Sequence, residues 1–534
     1  MGKYKLEDRV LGSIVRNKGI NNGSKTFLLF KDKEISYGDT EKITNQIANG
    51  LLSFGVSRGD KVCIMLKNSP EYIFICFALA KIGAIEVPIN NAYVGNWLKH
   101  VLNFSDAKIA VIDEDFIDRI NLIQEDLLLL EKVIIYSYGS IYGKQSDVTK
   151  LKQFRYEELL HSSSDYPKSN VSYFDPIAII FTPGTTGLSK GAVLTHTHAY
   201  LWAYMHVKYM GLRSDDVLYT CLPFFHVLSQ FLAVYGGLLV NGTVAIGEKF
   251  SASSFWEEVK KYNATYTSMV GAMAHILYNQ PIREDDSNNP LRIVYALPAP
   301  KGIQEKFENR FSLKFIEAYG SSECNAVTFQ PLDALRIGSC GKATDEYEVR
   351  IVDDYDNELP INMVGEFVVR GKEPFSITLG YYKMPEETLK VFRNFWFHTG
   401  DYGYMDEDGY YYFVDRKKDS IRRRGENISS YEIEKVISSH PKVEESAAVA
   451  VPSELGEDEV KICVVLKKGE KVTPDELILF CEGKMPYFAI PRYVEFLKNL
   501  PKTPTEKILK RELREARIRA TTWDREKSGY KLKR

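Results

Sequence analysis

The chain has 534 residues, 44% of them hydrophobic and 26% charged, with a formal net charge of −2. This length allows more than one domain and a large core, and the near-neutral balance gives no electrostatic reason to expect nucleic acid as a partner. The seven cysteines have neither C-x-x-C spacing nor a histidine partner at metal spacing, which argues for a reducing compartment and against a disulfide framework or structural zinc.

Met1–Lys5 leads into charged sequence without an apolar signal region, so a cytoplasmic location is expected. The most apolar stretch, Tyr72–Ile89, is interrupted by Lys81, Gly83 and Glu86. Ser69 as N-cap, Pro70 in the first turn and Gly83 as C-cap predict a helix of about three turns. It runs into a strand over Ile85–Ile89 and is too short to span a bilayer. Further strands are predicted over Lys61–Leu66, Ile109–Ile112, Lys132–Tyr136, Ile177–Phe181, Thr243–Ile246, Thr265–Ser268, Arg292–Tyr295 and Lys314–Ile316. Helical stretches such as Ser254–Tyr262 and Ile303–Phe311 lie between several of them, which implies an α/β architecture with largely parallel sheets. From Glu348 to Asp415 the strands shorten, with turns at Asp353–Asn357 and Asp406–Gly409, and an antiparallel subdomain is expected. A boundary at Arg416–Asp419 leaves residues 1–415 as a large domain and 420–534 as a small α+β domain.

The chemistry is concentrated in short motifs. Thr182-Pro183-Gly184-Thr185-Thr186-Gly187-Leu188-Ser189-Lys190-Gly191 lies between two strand-like runs. Its backbone N–H groups, hydroxyls and one ammonium are suited to wrapping a polyphosphate. Lys190 is followed by Gly191 and preceded by Ser189, so this is not a Walker A loop. Taken alone, a Gly/Thr-rich hairpin turn explains it as well. Leu222-Pro223-Phe224-Phe225-His226 follows, and then Tyr319-Gly320-Ser321-Ser322-Glu323 offers an aromatic face, hydroxyls and a carboxylate within five residues. His398-Thr399-Gly400-Asp401 supplies a carboxylate suited to two ribose hydroxyls. Asp415-Arg416-Lys417-Lys418-Asp419, Arg424-Gly425-Glu426-Asn427-Ile428 and Pro504-Thr505-Glu506-Lys507-Ile508 complete the set.

In this order and at these spacings, the motifs resemble those of the adenylate-forming superfamily: acyl-CoA synthetases, aryl-CoA ligases, luciferases and peptide-synthetase adenylation domains. The crotonobetaine/carnitine-CoA ligase branch is among the similar ones, alongside the medium-chain and aryl branches. The resemblance implies an AMP-forming acid–thiol ligase. A carboxylic acid is joined to the α-phosphate of ATP as acyl-AMP, pyrophosphate leaves, and the acyl group passes to CoA.

By that resemblance Lys507 bridges the substrate carboxylate and the α-phosphate, and Glu323 binds Mg²⁺. Tyr319 covers the adenine, Ser322 bonds the α-phosphate, and Asp401 with Arg416 holds the ribose. Thr182, Gly184, Thr185, Thr186, Gly187 and Lys190 hold the β- and γ-phosphates, and His226 gates the acyl pocket. Lys418 marks a hinge at 416–419 on which the small domain swings between half-reactions, bringing Gly425, Glu426 and Asn427 to the pantetheine tunnel. For His226 the plain alternative is a partly buried histidine satisfied by a backbone carbonyl. For Arg422–Arg424, contact with CoA phosphates competes with an ordinary basic surface loop.

The chain departs from the family pattern at Pro183 (commonly Ser or Thr), Ser189 (commonly Pro) and Asp415 (commonly Gly). These departures bear on loop stiffness and pocket shape; every charged catalytic group is retained. Two other readings use the same motifs. One is a stand-alone adenylation enzyme that loads a carrier protein, although only 27 residues follow Lys507. The other is a nucleotide-binding scaffold without chemistry, for which Pro183 speaks because proline lacks an N–H. Residues 508–534 carry ten Lys/Arg against four Asp/Glu, a basis for weak peripheral contact with an anionic membrane. The identity of the acid and the oligomeric state are left open.

Overall fold

Local signals and long-range pairing agree over most of the chain. In the computed structural model, residues 2–138, 150–182, 189–297, 299–300, 303–416, 420–454, 456–501, 508 and 510–532 are described. Helix Pro70–Ile82 begins where Ser69 accepts a hydrogen bond from the Tyr72 N–H and ends at Gly83, whose φ of 70° is the left-handed conformation a C-cap requires. Twelve of its thirteen residues are buried. It is therefore an all-round apolar core helix, without the polar stripe of a surface helix.

The strand that follows, Ile85–Pro88, enters a seven-stranded sheet. The order is Lys152–Arg155, Lys132–Tyr136, Ile109–Asp113, Lys61–Met65, Ile85–Pro88, Pro176–Thr182 and Lys190–Thr195. Pairing is parallel from the first of these to Pro176–Thr182. A nine-stranded sheet has six parallel strands at its centre: Thr26–Phe30, Thr243–Ile246, Val217–Thr220, Tyr266–Met269, Ile293–Ala296 and Lys314–Ser321. Antiparallel strands flank them, so the sheet is mixed.

The apolar faces of both sheets and the helices against them, including Pro70–Ile82 and His196–Met210, form one continuous core. A second cluster, around Phe255, Phe307 and Phe315, covers the other face of the nine-stranded sheet. The expected antiparallel sheet is present: Tyr347–Val352, Gly365–Gly371, Trp396–Met405 and Phe392–Arg393, with Tyr411–Arg416 pairing on Trp396–Met405.

The residues group into two compact units. The first comprises Met1–Asn91, Leu102–Phe181 and Gly191–Asp415; the second comprises Ala92–Val101, Thr182–Lys190 and Arg416–Arg534. The second contains the hairpin Ser420–Arg423/Glu426–Ser429 and a four-stranded sheet, with helices Ser430–Ser438 and Pro474–Cys481. The fold is thus an α/β large domain with mixed sheets and an antiparallel subdomain, followed by a small α+β domain. Among the described residues, no helix is long and apolar enough to cross a membrane. All seven cysteines are buried as free thiols.

Candidate active site

In parallel sheets, ligands gather beyond the carboxyl ends of the strands. Strand Lys314–Ser321 ends there and delivers Tyr319, Ser322 and Glu323 through a tight antiparallel return into Asn325–Phe329. The register slips between Tyr319 and Gly320, and a Cβ on Gly320 would lie 2.1 Å from the Asn325 carbonyl oxygen. Only glycine lets the two backbones approach this closely.

The Tyr319 ring is buried and stacks on Phe367, with centroids 4.4 Å apart. Its hydroxyl donates to Asp401 Oδ2 at 2.8 Å. Burial first, and then the Asp401 charge, pushes the Tyr319 phenol well above its ordinary range, so it stays a donor. Asp401 sits on Trp396–Met405, and its N–H donates to Thr399 Oγ1 at 3.1 Å. Upstream, Gly400 has a φ of 74° and donates its N–H to Glu366 Oε1 at 3.0 Å. Glu366 Oε2 also lies 3.3 Å from His398 Nδ1. Glu366 therefore fixes the turn that presents Asp401.

Glu323 is buried, and its Oε1 accepts from the Tyr381 hydroxyl at 3.1 Å. Its carbonyl accepts from the Thr378 N–H at 2.7 Å, tying the motif to the loop before Tyr381. Burial, together with the nearby Glu323 carboxylate, raises the Tyr381 phenol. The Cys324 thiol is pushed up to about 12, mainly by burial, with Glu323 and Asp401 both adding to the shift. The Tyr319–Asp401 bond thus brings the motifs at 319–323 and 398–401 side by side.

His226 is half-buried, with its ring 4.5 Å from that of Phe225. Its N–H donates to the Pro223 carbonyl at 3.1 Å, and its own carbonyl accepts from Ser229 and Gln230. The loop before it is held by Asn68, whose Nδ2 donates to the Leu222 and Gly247 carbonyls and whose Oδ1 accepts from the Phe224 N–H. After it the chain continues as a π-helix over Leu228–Val234.

In the second unit Thr182 Oγ1 donates to the Lys190 carbonyl at 3.4 Å, bringing together the two ends of the Gly/Thr loop. Gly184, Thr185, Thr186, Gly187, Lys418 and Lys507 lie outside the described residues. The backbone of Arg416 ends strand Tyr411–Arg416, and Asn427 lies on Glu426–Ser429. Arg424 and Gly425, with φ of 53° and 83°, make the two-residue turn of the hairpin, with Arg423 opposite Glu426. The Gly425 N–H donates to Glu457 Oε2 at 3.1 Å.

The reading of Arg422–Arg424 as a basic surface loop is corrected at its centre. Arg423 is 2% exposed, pairs with Glu459 at 2.5 Å and donates to the Phe488 and Ile490 carbonyls. It is a core cation, whereas Arg424 is exposed and pairs with Glu526.

Asn68, Glu366, Thr378 and Tyr381 are the positioning residues that sequence reasoning missed. Gly380-Tyr381-Tyr382 carried the only local signal, an aromatic pair after a glycine; the other roles arise only through pairing distant in sequence.

Glu323 also bears on whether the site suits a divalent cation. It is a single buried carboxylate, and among the described residues no group of three or more His, Cys, Asp or Glu is arranged to hold a metal. One protein carboxylate is what Mg²⁺ takes when phosphates and water complete its shell, whereas a structural zinc site needs several ligands. The donor set fits Mg²⁺ brought in with a polyphosphate.

Residues 16–382 match the family model described as AMP-binding enzyme, and residues 432–507 match the AMP-binding enzyme C-terminal domain. A crotonobetaine/carnitine–CoA ligase of Salmonella heidelberg is 34% identical over 508 residues, covering 92% of this chain and 96% of the relative. The Citrobacter koseri enzyme of the same name is 34% identical over 503 residues, with the same coverage. Among solved structures, ATP-bound MatB from Rhodopseudomonas palustris aligns with a TM-score of 0.70 at 27% identity, covering 95% of this chain and 98% of that one. The o-succinylbenzoate CoA synthetase of Bacillus subtilis has a TM-score of 0.82 at 22% identity, covering 96% and 99%, a likeness of fold. With both models matched in order and a relative 34% identical over 92% of the chain, the chain belongs to the AMP-binding enzyme family, as an AMP-forming acid–thiol ligase.

Proposed function

We propose that the enzyme activates a carboxylic acid with ATP as acyl-AMP and transfers the acyl group to CoA. The observation that carries this reading is the Tyr319–Asp401 hydrogen bond of 2.8 Å, which joins two motifs 82 residues apart beside buried Glu323. A buried phenol and a buried carboxylate facing each other next to a second carboxylate suit a nucleoside, with the ribose hydroxyls donating to Asp401. Ser322 and Glu323 follow on the same turn, where the α-phosphate and its cation would lie. Mg²⁺ held by Glu323 would offset phosphate charge.

In the first half-reaction a carboxylate oxygen attacks the α-phosphorus, and the bond to the β-phosphate oxygen breaks. Both reactants are anions, so the barrier is lowered chiefly by fixed cations and by positioning. Lys507 and Lys190 are assigned as those cations, with Thr182, Gly184, Thr185, Thr186 and Gly187 holding the leaving pyrophosphate. In the second half-reaction the thiolate attacks the acyl carbon and AMP leaves. Residues 1–415 then form the nucleotide-binding domain and 416–419 the hinge, with Arg416 completing the ribose site and Lys418 supplying backbone freedom. Residues 420–534 carry Lys507 to one half-reaction and Gly425, Glu426 and Asn427 to the other. The division of the structure between Asp415 and Arg416 supports this reading.

The betaine acids named for the curated relatives are the first substrates to test. The experiment is ATP- and CoA-dependent AMP release across acetate to palmitate, benzoates, cinnamates, crotonobetaine and carnitine, with thioester detected by mass. AMP and thioester together are expected from one acid class. AMP without thioester would redirect the second step to another thiol. Failure of every acid to release AMP, with ATP still bound, would overturn the ligase reading.

A further inference from the structure

A row of buried polar groups lies one layer beneath the strand ends that deliver the site. Ser268 and Tyr295 face each other across strands Tyr266–Met269 and Ile293–Ala296, so their side chains share one face of the sheet. Thr220 stands two residues beyond Leu218, the register partner of Tyr266, and joins the same face. From the opposite side, helix His196–Met210 lowers His206 between Tyr266 and Tyr295, with ring centroids 5.1 and 4.9 Å away and both contacts edge-on. The π-helix after His226 packs over these strands and contributes Ser229.

Tyr266 and Ser268 satisfy each other at 2.6 Å. The remaining four are different. Among the described residues, His206 Nδ1 and Nε2, the Tyr295 hydroxyl, Thr220 Oγ1 and Ser229 Oγ are buried without a hydrogen-bond partner. Buried polar groups are rarely left this way, because each loses its water and gains nothing in return. Five such atoms on one sheet face and the elements covering it form a concentration rather than a scatter. Burial lowers the His206 imidazole to about 3, and burial, with the Glu317 charge adding, raises the Tyr295 phenol.

The strands run toward the site. The chain leaves these strands at Cys221, Val270 and Leu297, and the sequence leads the acyl pocket to be expected from residues near His226, Gly271–His275, Ala296–Pro300 and Tyr319–Ala326. Thr220, Ser268 and Tyr295 are the last or next-to-last residues before those ends.

We propose that this neutral polar layer is the floor of the acyl site, and that the acid it takes carries an uncharged hydrogen-bonding group, a hydroxyl or carbonyl, beyond its carboxylate. The inference rests on the acid–thiol ligase reading. A plain hydrocarbon tail would seal these groups away unpaired, whereas a hydroxyl both donates to and accepts from the imidazole and the phenol. A site built to hydrogen-bond its substrate discriminates strongly against the analogue that lacks the group.

The test compares matched acids: benzoate with para-hydroxybenzoate, hexanoate with omega-hydroxyhexanoate, and crotonobetaine with carnitine. AMP release gives kcat/KM for each. In the pair that is used best, the polar member is expected to be preferred by about tenfold or more, and Tyr295→Phe or His206→Leu to lower that ratio by about tenfold. Ser229→Ala serves as a third variant if either larger change disturbs folding. Preference for the unsubstituted acid, or a ratio unmoved in the folded variants, would overturn the inference while the ligase reading stood. AMP release with no acid at all would remove both. Variants that gain thermal stability without any change in the ratio would mark the layer as structural only, and would also overturn it.

Discussion

Tyr319 and Asp401 show what a single hydrogen bond can do at the residue scale. The Tyr319 hydroxyl is a donor to a carboxylate that is itself 7% exposed. Tyr319→Phe removes this donor from buried Asp401, a loss of about 2 kcal/mol. A lowered Tm is expected by calorimetry; an unchanged one would mean that water replaces the phenol at no cost. On the proposed reading Asp401 holds the two ribose hydroxyls, so Asp401→Ala is expected to raise the KM for ATP by about tenfold or more while binding of the acid changes little. Equal losses for ATP and acid would remove Asp401 from the nucleotide site. Glu86 makes a prediction of another kind. It is fully buried, both its oxygens accept from Gln230 Nε2 at 2.7 and 2.8 Å, and burial raises its carboxyl to about 7. Cys76, Tyr72 and Tyr235 are its other titratable neighbours, and all three are held neutral by burial. Between the ordinary 4.5 and about 7 the folded chain holds a proton that the unfolded chain has lost. Stability therefore falls as pH rises through this window, by about 3 kcal/mol in all. Glu86→Gln should shrink the fall in Tm between about pH 5 and pH 8. An equal fall in both proteins would show that Glu86 ionises freely.

Elements differ in how much of them their own residues specify. Helix Pro70–Ile82 was legible at both ends because Ser69, Pro70 and Gly83 act on backbone groups within a turn of themselves. The parallel strands were legible as short apolar runs, and the antiparallel subdomain through its turns at Asp353 and Asp406. The π-helix at Leu228–Val234 was not legible, since its extra residue per turn is imposed by the sheet and helices it packs against. The same limit applied to the site. Tyr319, Glu323 and Asp401 were readable because their chemistry is carried in contiguous motifs. Glu366 and Tyr381 become meaningful only once the fold brings them against residues 32 and 58 positions away in those motifs. Arg423 was unreadable for a related reason: three consecutive arginines look alike in sequence, but alternation along a strand buries the middle one against Glu459. Gly320 tests the strand that carries the site. Its Cβ would meet the Asn325 oxygen at 2.1 Å and the Ala326 Cα at 2.7 Å, both backbone atoms with no flexible end to yield. Gly320→Ala is expected to cost about 3 kcal/mol and to lower Tm. A variant as stable as the parent would mean that the bulge at this turn relaxes freely.

At the scale of the whole molecule, the question is why one chain should divide its catalytic groups between two units. Acyl-AMP formation brings anions together and needs cations at the α-phosphate; thioester formation needs those cations gone and a path for a thiol in their place. On the proposed reading, Lys507 serves only the first demand, while Gly425, Glu426 and Asn427 serve only the second. Lys507→Ala is expected to lower acid-dependent adenylation by about a hundredfold or more, the typical effect of removing a preorganised charge from a transition state. The same variant should convert supplied acyl-AMP and CoA to thioester at close to the parent rate. A bulky substitution at Gly425 should do the reverse, because its φ of 83° strains any side chain placed there and puts the hairpin turn, held by the N–H bond to Glu457, at risk. Opposite patterns in the two variants would establish that the half-reactions draw on different parts of the small domain. If each variant lost both half-reactions equally, the two sets of residues would belong to one fixed site. The hinge at 416–419 would then have no catalytic role to explain.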